Sequence, residues 1–124
     1  MKKLFVSVPM RGRTHEEIIA DMAKMHKIAE VFEGEELELI DSFVTDKTPE
    51  THDHALWCLG ESIKRLAEAD VFIGIESCWR WRGCEIEARA AQEYGIKTYF
   101  VPSGVMVGVE RDCCDEPKTT PVNG

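Results

Sequence analysis

Four short runs rich in β-branched and aromatic residues, at 4–8, 37–40, 71–75 and 96–101, punctuate this chain, and the segments between them are too long for hairpin turns. Antiparallel neighbours can be joined by two residues, whereas parallel neighbours need a crossover of a dozen or more, usually a helix. The run Val71-Phe72-Ile73-Gly74-Ile75 is apolar throughout, with Asp70 before it and Glu76 after it. A strand without polar alternation is covered on both faces, as in a parallel sheet between helical layers.

The intervening segments carry helical signals. Thr14-His15-Glu16-Glu17 has the spacing of a capping box, with Thr14 capping the amide of residue 17 and Glu17 reaching back. Ile18, Met22, Met25, Ala29 and Phe32 then recur at one-turn spacing and predict a single apolar stripe, stopped at Gly34. Leu56, Leu59, Ile63 and Leu66 predict a second helix, and an Ala-rich stretch at about 84–94, stopped by Gly95, predicts a third. Asp70 falls where the second helix gives way to the third strand. The expected fold is α/β: a three-layer, doubly wound sheet of four to five mainly parallel strands, flavodoxin- or Rossmann-like. The fifth strand is placed at 105–109. Residues 1–109 form the domain, and 110–124, polar and holding Pro117 and Pro121, read as a flexible tail.

The chain has 124 residues, the size of one domain, and a net charge of -8. That charge repels a nucleic-acid polymer, while leaving a small anion open to a few aimed arginines. The sequence lacks an apolar run long enough to span a membrane and any signal-peptide pattern, and its five cysteines read as reduced thiols, so a cytoplasmic location is expected.

In doubly wound sheets, ligands bind beyond the carboxyl ends of the strands. Three segments are expected there: 9–14, 41–51 and 76–83. Pro9-Met10-Arg11-Gly12-Arg13-Thr14 joins a strand to a helix N-terminus, where amides and the helix dipole favour an anion. Gly12 permits close backbone approach, and Arg11 or Arg13 can fork onto a phosphate or carboxylate. The same residues also suit a plain surface turn with solvated arginines. Arg82-Gly83-Cys84-Glu85-Ile86-Glu87 opens the third helix. A carboxylate at Glu87, in or just past the first turn, is expected to be held ionised by the dipole, as a nucleophile requires, although acidic residues at such positions often only cap. Trp79 and Trp81, flanking Arg80, suit stacking on a base, or folding back onto the core. His52, His54, Cys58, Cys113 and Cys114 lack the paired spacing of a metal site, so no metal is expected.

Leu4-Phe5-Val6-Ser7-Val8-Pro9-Met10-Arg11-Gly12, then Ala69-Asp70-Val71 opening a strand, then Gly83-x-x-x-Glu87 opening a helix, together resemble the nucleoside 2-deoxyribosyltransferase fold family, over about residues 3–101. Closest is its short uncharacterised branch; a related branch hydrolyses deoxynucleoside 5′-monophosphates. The resemblance implies cleavage or transfer at the N-glycosidic bond of a (deoxy)nucleoside or its 5′-monophosphate. Glu87 would be the nucleophile, and Glu85, Asp41 or Asp46 the acid that protonates the departing base. Phe5, Pro9, Met10, Arg11, Gly12, Arg13, Asp46, Trp79, Trp81 and Gly83 would contact substrate. It further implies no metal or organic cofactor, and a homo-oligomer, dimer or tetramer. Phe5 stands where the family commonly has a tyrosine whose hydroxyl orients the glutamate. Val8 replaces a glycine, and Trp81 a phosphate-binding serine. Phe5 and Val8 favour the alternative reading, a non-catalytic nucleotide-binding or sensor module. A response-regulator-like domain would want acidic residues after the first strand, where this chain has Pro9-Met10-Arg11-Gly12.

Overall fold

The apolar runs become strands because each can bury both its faces. In the computed structural model, which describes residues 1–10, 12–41, 48–76 and 82–102, the elements follow in the order β1 (Lys3–Val6), α1 (His15–Glu33), β2 (Glu38–Leu39), α2 (His54–Leu66), β3 (Val71–Ile75), α3 (Arg82–Glu93) and β4 (Lys97–Val101). The four strands form one parallel sheet in the order β2-β1-β3-β4. The chain winds from β1 out to β2, then returns to the other side of β1 for β3 and β4. The strand order therefore reverses between β1 and β3. Right-handed crossovers running in opposite directions from such a point lay their helices on opposite faces, which makes the molecule three-layered.

Strand alternation sorts the core accordingly. Leu4, Val6, Val8, Val71, Ile73 and Ile75 pack against Ile18, Met22, Met25 and Ala29 of α1. Phe5 and Phe72, paired across β1 and β3, point the other way, into a second cluster with Leu66 of α2 and Ala91 of α3. Their rings stack 5.9 Å apart. Phe72 leans under Gly74, where an added Cβ would come within 2.9 Å of the ring, so the close approach requires glycine.

The helix signals hold with two departures. The capping box forms around Thr14, and Gly34 ends α1, donating its N–H to the Glu30 carbonyl at 2.8 Å. Phe32, however, is 52% exposed, because the last turn of α1 carries it past the core to lie against Tyr99. Leu56 is 67% exposed: only the C-terminal half of the α2 stripe, Ile63 and Leu66, reaches the core. β2 pairs over two residues rather than four. Just before it, the N–H of Leu37 donates to Glu30 and its carbonyl meets the His26 ring, so side chains from α1 replace the ladder there. Asp70 accepts from the Lys3 N–H at 2.9 Å, and the Lys3 carbonyl accepts from the Asp70 N–H at 2.8 Å. It stitches β1 to the start of β3, at the end of the sheet away from the expected site. Among the described residues, no helix is long and apolar enough to cross a membrane. Residues 103–124, with the expected fifth strand and tail, lie outside the described residues.

At that same end, Glu33 gathers Lys2, Lys97 and Tyr99 around a carboxylate that is 2% exposed. Hydrogen bonds from Lys97 and Tyr99 pull its pKa down to about 2. A depressed carboxylate contributes stability above its unfolded value near 4.5 and loses it as pH falls toward the folded value. Wild type is therefore expected to lose stability between about pH 4.5 and 2, and Glu33→Gln, already lacking the ion pairs, to lose less over the same interval. Urea titrations at pH 6 and pH 3 measure this; equal losses in both proteins would remove Glu33 as the cause.

Candidate functional site

The site assembles where the strand order reverses. β1 ends its ladder at Val6, but Ser7 continues the path and donates its backbone N–H to the Ile73 carbonyl at 2.9 Å. Alternation then points the Ser7 side chain to the same face as Phe5, toward α3. This is the one polar residue in the run 4–8, and it is 2% exposed.

Beyond it, the β1–α1 turn is tied down from within. Gly12 has φ 75°, a conformation a side chain disfavours, and the Arg13 N–H returns to the Met10 carbonyl at 3.2 Å. Arg13 donates one guanidinium nitrogen to the Pro9 carbonyl at 2.8 Å and pairs another with Asp21 of α1. Its side chain is 4% exposed and that of Asp21 0%. The fork expected to meet a phosphate thus grips the protein itself. The α1 N-terminus is likewise partly occupied, since Thr14 accepts from the Glu17 amide and the Glu17 carboxylate accepts from the Thr14 amide. Pro9 is buried, and Met10 packs half-buried against the α1-side core.

α3 brings the carboxylates. It starts at Arg82, which places Glu85 in its first turn and Glu87 in its second. Glu87 is one turn from Cys84 and on the same face. Its Oε1 accepts from the Ser7 hydroxyl at 2.6 Å, a contact between residues 80 apart in sequence. Ser62 of α2 also favours the ionised form of this carboxyl group. The residue as a whole is half-buried, but its carboxyl end is enclosed, and that burial pushes its pKa up to about 7 against the pull of both serines. Cys84 lies one turn before it, its thiol pushed up to about 12, first by burial and then by the neighbouring Glu87.

Two expectations are corrected. Phe5 does not contact the site: at 1% exposed and stacked on Phe72, it lies beneath the edge, in the core. Glu87 is not held ionised by the helix dipole. It sits past the first turn, where the dipole fades, and burial shifts it toward the protonated form. Gly83 is exposed with open space around its Cα, and Glu85 is half-buried. Arg11, Asp46, Trp79 and Trp81 lie outside the described residues.

Sequence reasoning passed over Ser7, Ser62 and Cys84. Ser7 carried a readable signal, a lone hydroxyl in an apolar strand at the edge where ligands bind. Ser62 and Cys84 carried none beyond their helical phase. Of the metal candidates, His54 does meet Cys58, at 3.7 Å, and Thr48 at 2.6 Å, but among the described residues no group of three or more metal-ligating side chains forms. The described cysteines, Cys58 and Cys84, are free thiols.

What this arrangement offers chemically is a carboxyl group that exchanges its proton near neutrality, oriented by the Ser7 hydroxyl at the switch point of a parallel sheet. Comparison of the chain with family models, with curated proteins and with solved structures finds no match in any of the three.

Proposed function

We propose that the chain cleaves or transfers at the N-glycosidic bond of a nucleoside, deoxynucleoside or nucleoside 5′-monophosphate, with Glu87 as the nucleophile. The observation that carries the reading is the enclosed Glu87 carboxyl at the carboxyl edge of β1 and β3, with a pKa of about 7. Breaking such a bond passes through an oxocarbenium-like state, which a carboxylate on the sugar's open face stabilises or captures at C1′. A carboxyl group that is half ionised at neutral pH supplies that anion without a fully charged group in an enclosed place. The departing base takes a proton from a second acid, for which Glu85, in the turn before, and the exposed Asp41 are the described candidates. Water or a second base then takes the sugar from Glu87. The reaction makes no demand for a redox or metal centre.

The test is incubation of the purified protein with a panel of nucleosides and 5′-monophosphates, following free base by chromatography. Base release is expected from wild type and a loss of at least about 10³-fold in Glu87→Ala. Since attack needs the carboxylate, kcat/KM is expected to rise with pH through about 7 and then level. A rate that falls over that range would reassign Glu87 as the acid. Ligands returned unchanged, yet stabilising the fold, would leave a nucleotide-binding module.

A further inference from the structure

The first turns of α2 hold a second group of side chains, which the glycosidic reading does not use. α2 follows β2 in a parallel sheet, so it begins at the carboxyl edge of the strands. Asp53 caps it, accepting from the Leu56 N–H at 2.9 Å, which makes His54 its first residue. Cys58 stands four residues later, one turn on and on the same face. The two side chains meet, with His54 Nε2 3.7 Å from Cys58 Sγ. The other ring nitrogen, Nδ1, is 2.6 Å from the hydroxyl of Thr48, in the segment before the helix. His54 is exposed and Cys58 half-buried, so the pair lies at the surface. A nucleophile within reach of a base, with the base held from behind by a third group, is the arrangement that activates a thiol. Cys84, by contrast, is a thiol that burial pushes up to about 12.

We infer that Cys58, His54 and Thr48 form a thiol–imidazole site that exchanges with a low-molecular-weight disulfide, which makes Cys58 a point of reversible S-thiolation. In the tautomer that serves this step, Nδ1 carries the ring proton and donates to Thr48, leaving Nε2 to accept from the thiol. Nε2 takes the Cys58 proton as the sulfur attacks one sulfur of the disulfide. The S–S bond of the disulfide breaks, and a new S–S bond joins Cys58 to one half of it. The other half leaves as a thiolate and takes the proton back from the imidazolium. Cys58 is oxidised and the departing half reduced, so the disulfide is the only oxidant. An excess of free thiol reverses the step. His54 is the base, and Thr48 is a positioning residue that acts through the ring. The site goes beyond the glycosidic reading and does not rest on it, since Glu87 takes no part.

The test is incubation of the full chain with cystamine at pH 7, following the adduct at each cysteine by peptide mass spectrometry in wild type, His54→Ala, Thr48→Val and Thr48→Ser. An ordinary thiol is a few per cent ionised at pH 7, so taking its proton accelerates attack by at most roughly 30-fold. Cys58 is expected to react about tenfold faster in wild type than in His54→Ala or in the urea-unfolded chain, and faster than the enclosed Cys84. Free imidazole is expected to restore part of the rate in His54→Ala, which a merely structural role for the ring would not allow. Thr48→Val is expected to slow Cys58, and Thr48→Ser, which keeps the hydroxyl, to return it toward wild type. His54 is exposed in the first turn of α2, where alanine is a good helix former, so His54→Ala is expected to keep the fold. Equal Cys58 rates in wild type and folded His54→Ala would overturn the site. So would an adduct that reaches Cys58 only after unfolding.

Discussion

Asp21→Ala is expected to cost about 3–5 kcal/mol, a large part of the stability of a domain this size. Asp21 is fully buried on the α1 face that also carries Ile18, Met22 and Met25, and its charge is compensated by Arg13, itself nearly buried. Removing one partner leaves the other charged and enclosed, which costs far more than the pair contributes over an apolar replacement. Arg13 is also the donor that holds the Pro9 carbonyl, so the loss reaches the β1–α1 turn at the edge of the site. Urea denaturation at pH 7 measures the effect. The double variant Arg13→Met/Asp21→Leu, which takes both charges out together, is expected to recover most of it. A loss under about 1 kcal/mol in Asp21→Ala would mean that the pair behaves like a solvated surface bridge.

The second large effect has the opposite sign. Glu87→Gln is expected to stabilise the protein at pH 8 by about 2–3 kcal/mol and to change it little at pH 5. The carboxyl group titrates near 4.5 when unfolded and at about 7 when folded. Below 4.5 it is neutral in both states and contributes no difference. As pH rises from 4.5 to 7, the unfolded chain releases the proton while the folded protein keeps it, so stability falls. Above 7 the full cost is present. A glutamine keeps the shape and an acceptor for Ser7, and never ionises. Stability gained with function lost is what a group held at a cost for its chemistry should give. Equal midpoints for wild type and Glu87→Gln at pH 8 would show an ordinary solvated carboxyl and remove the basis of the proposed nucleophile.

The outlines of the fold were legible in the chain because their causes are local. The Thr14–Glu17 box, the Gly34 and Gly95 stops and the Ile18–Met22–Met25–Ala29 stripe depend on residues a few positions apart. The unbroken run 71–75 required a strand covered on both faces, and crossover length then required parallel neighbours. The same local logic marked the carboxyl edge of the sheet as the place to expect a ligand, whereas the choice of Glu87 over Glu85 rested on the family resemblance.

Tertiary structure decided what those residues do. Burial belongs to packing, so Phe5 went to the core and Phe32 and Leu56 to the surface against equal local claims. Arg13 looked like a free cation until α1 placed Asp21 beneath it, 8 residues away but buried with it. The proton affinity of Glu87 was misjudged because its helix position is a local fact and its enclosure is not. Ser7 and Glu87 meet across 80 residues because β1 and β3 are neighbours at the point where the strand order turns back. Sequence by itself determined which elements form and at which edge of the sheet the candidate residues lie. Only the sheet order determined which side chains share that edge, because contacts between distant residues arise from topology and leave no periodic trace along the chain.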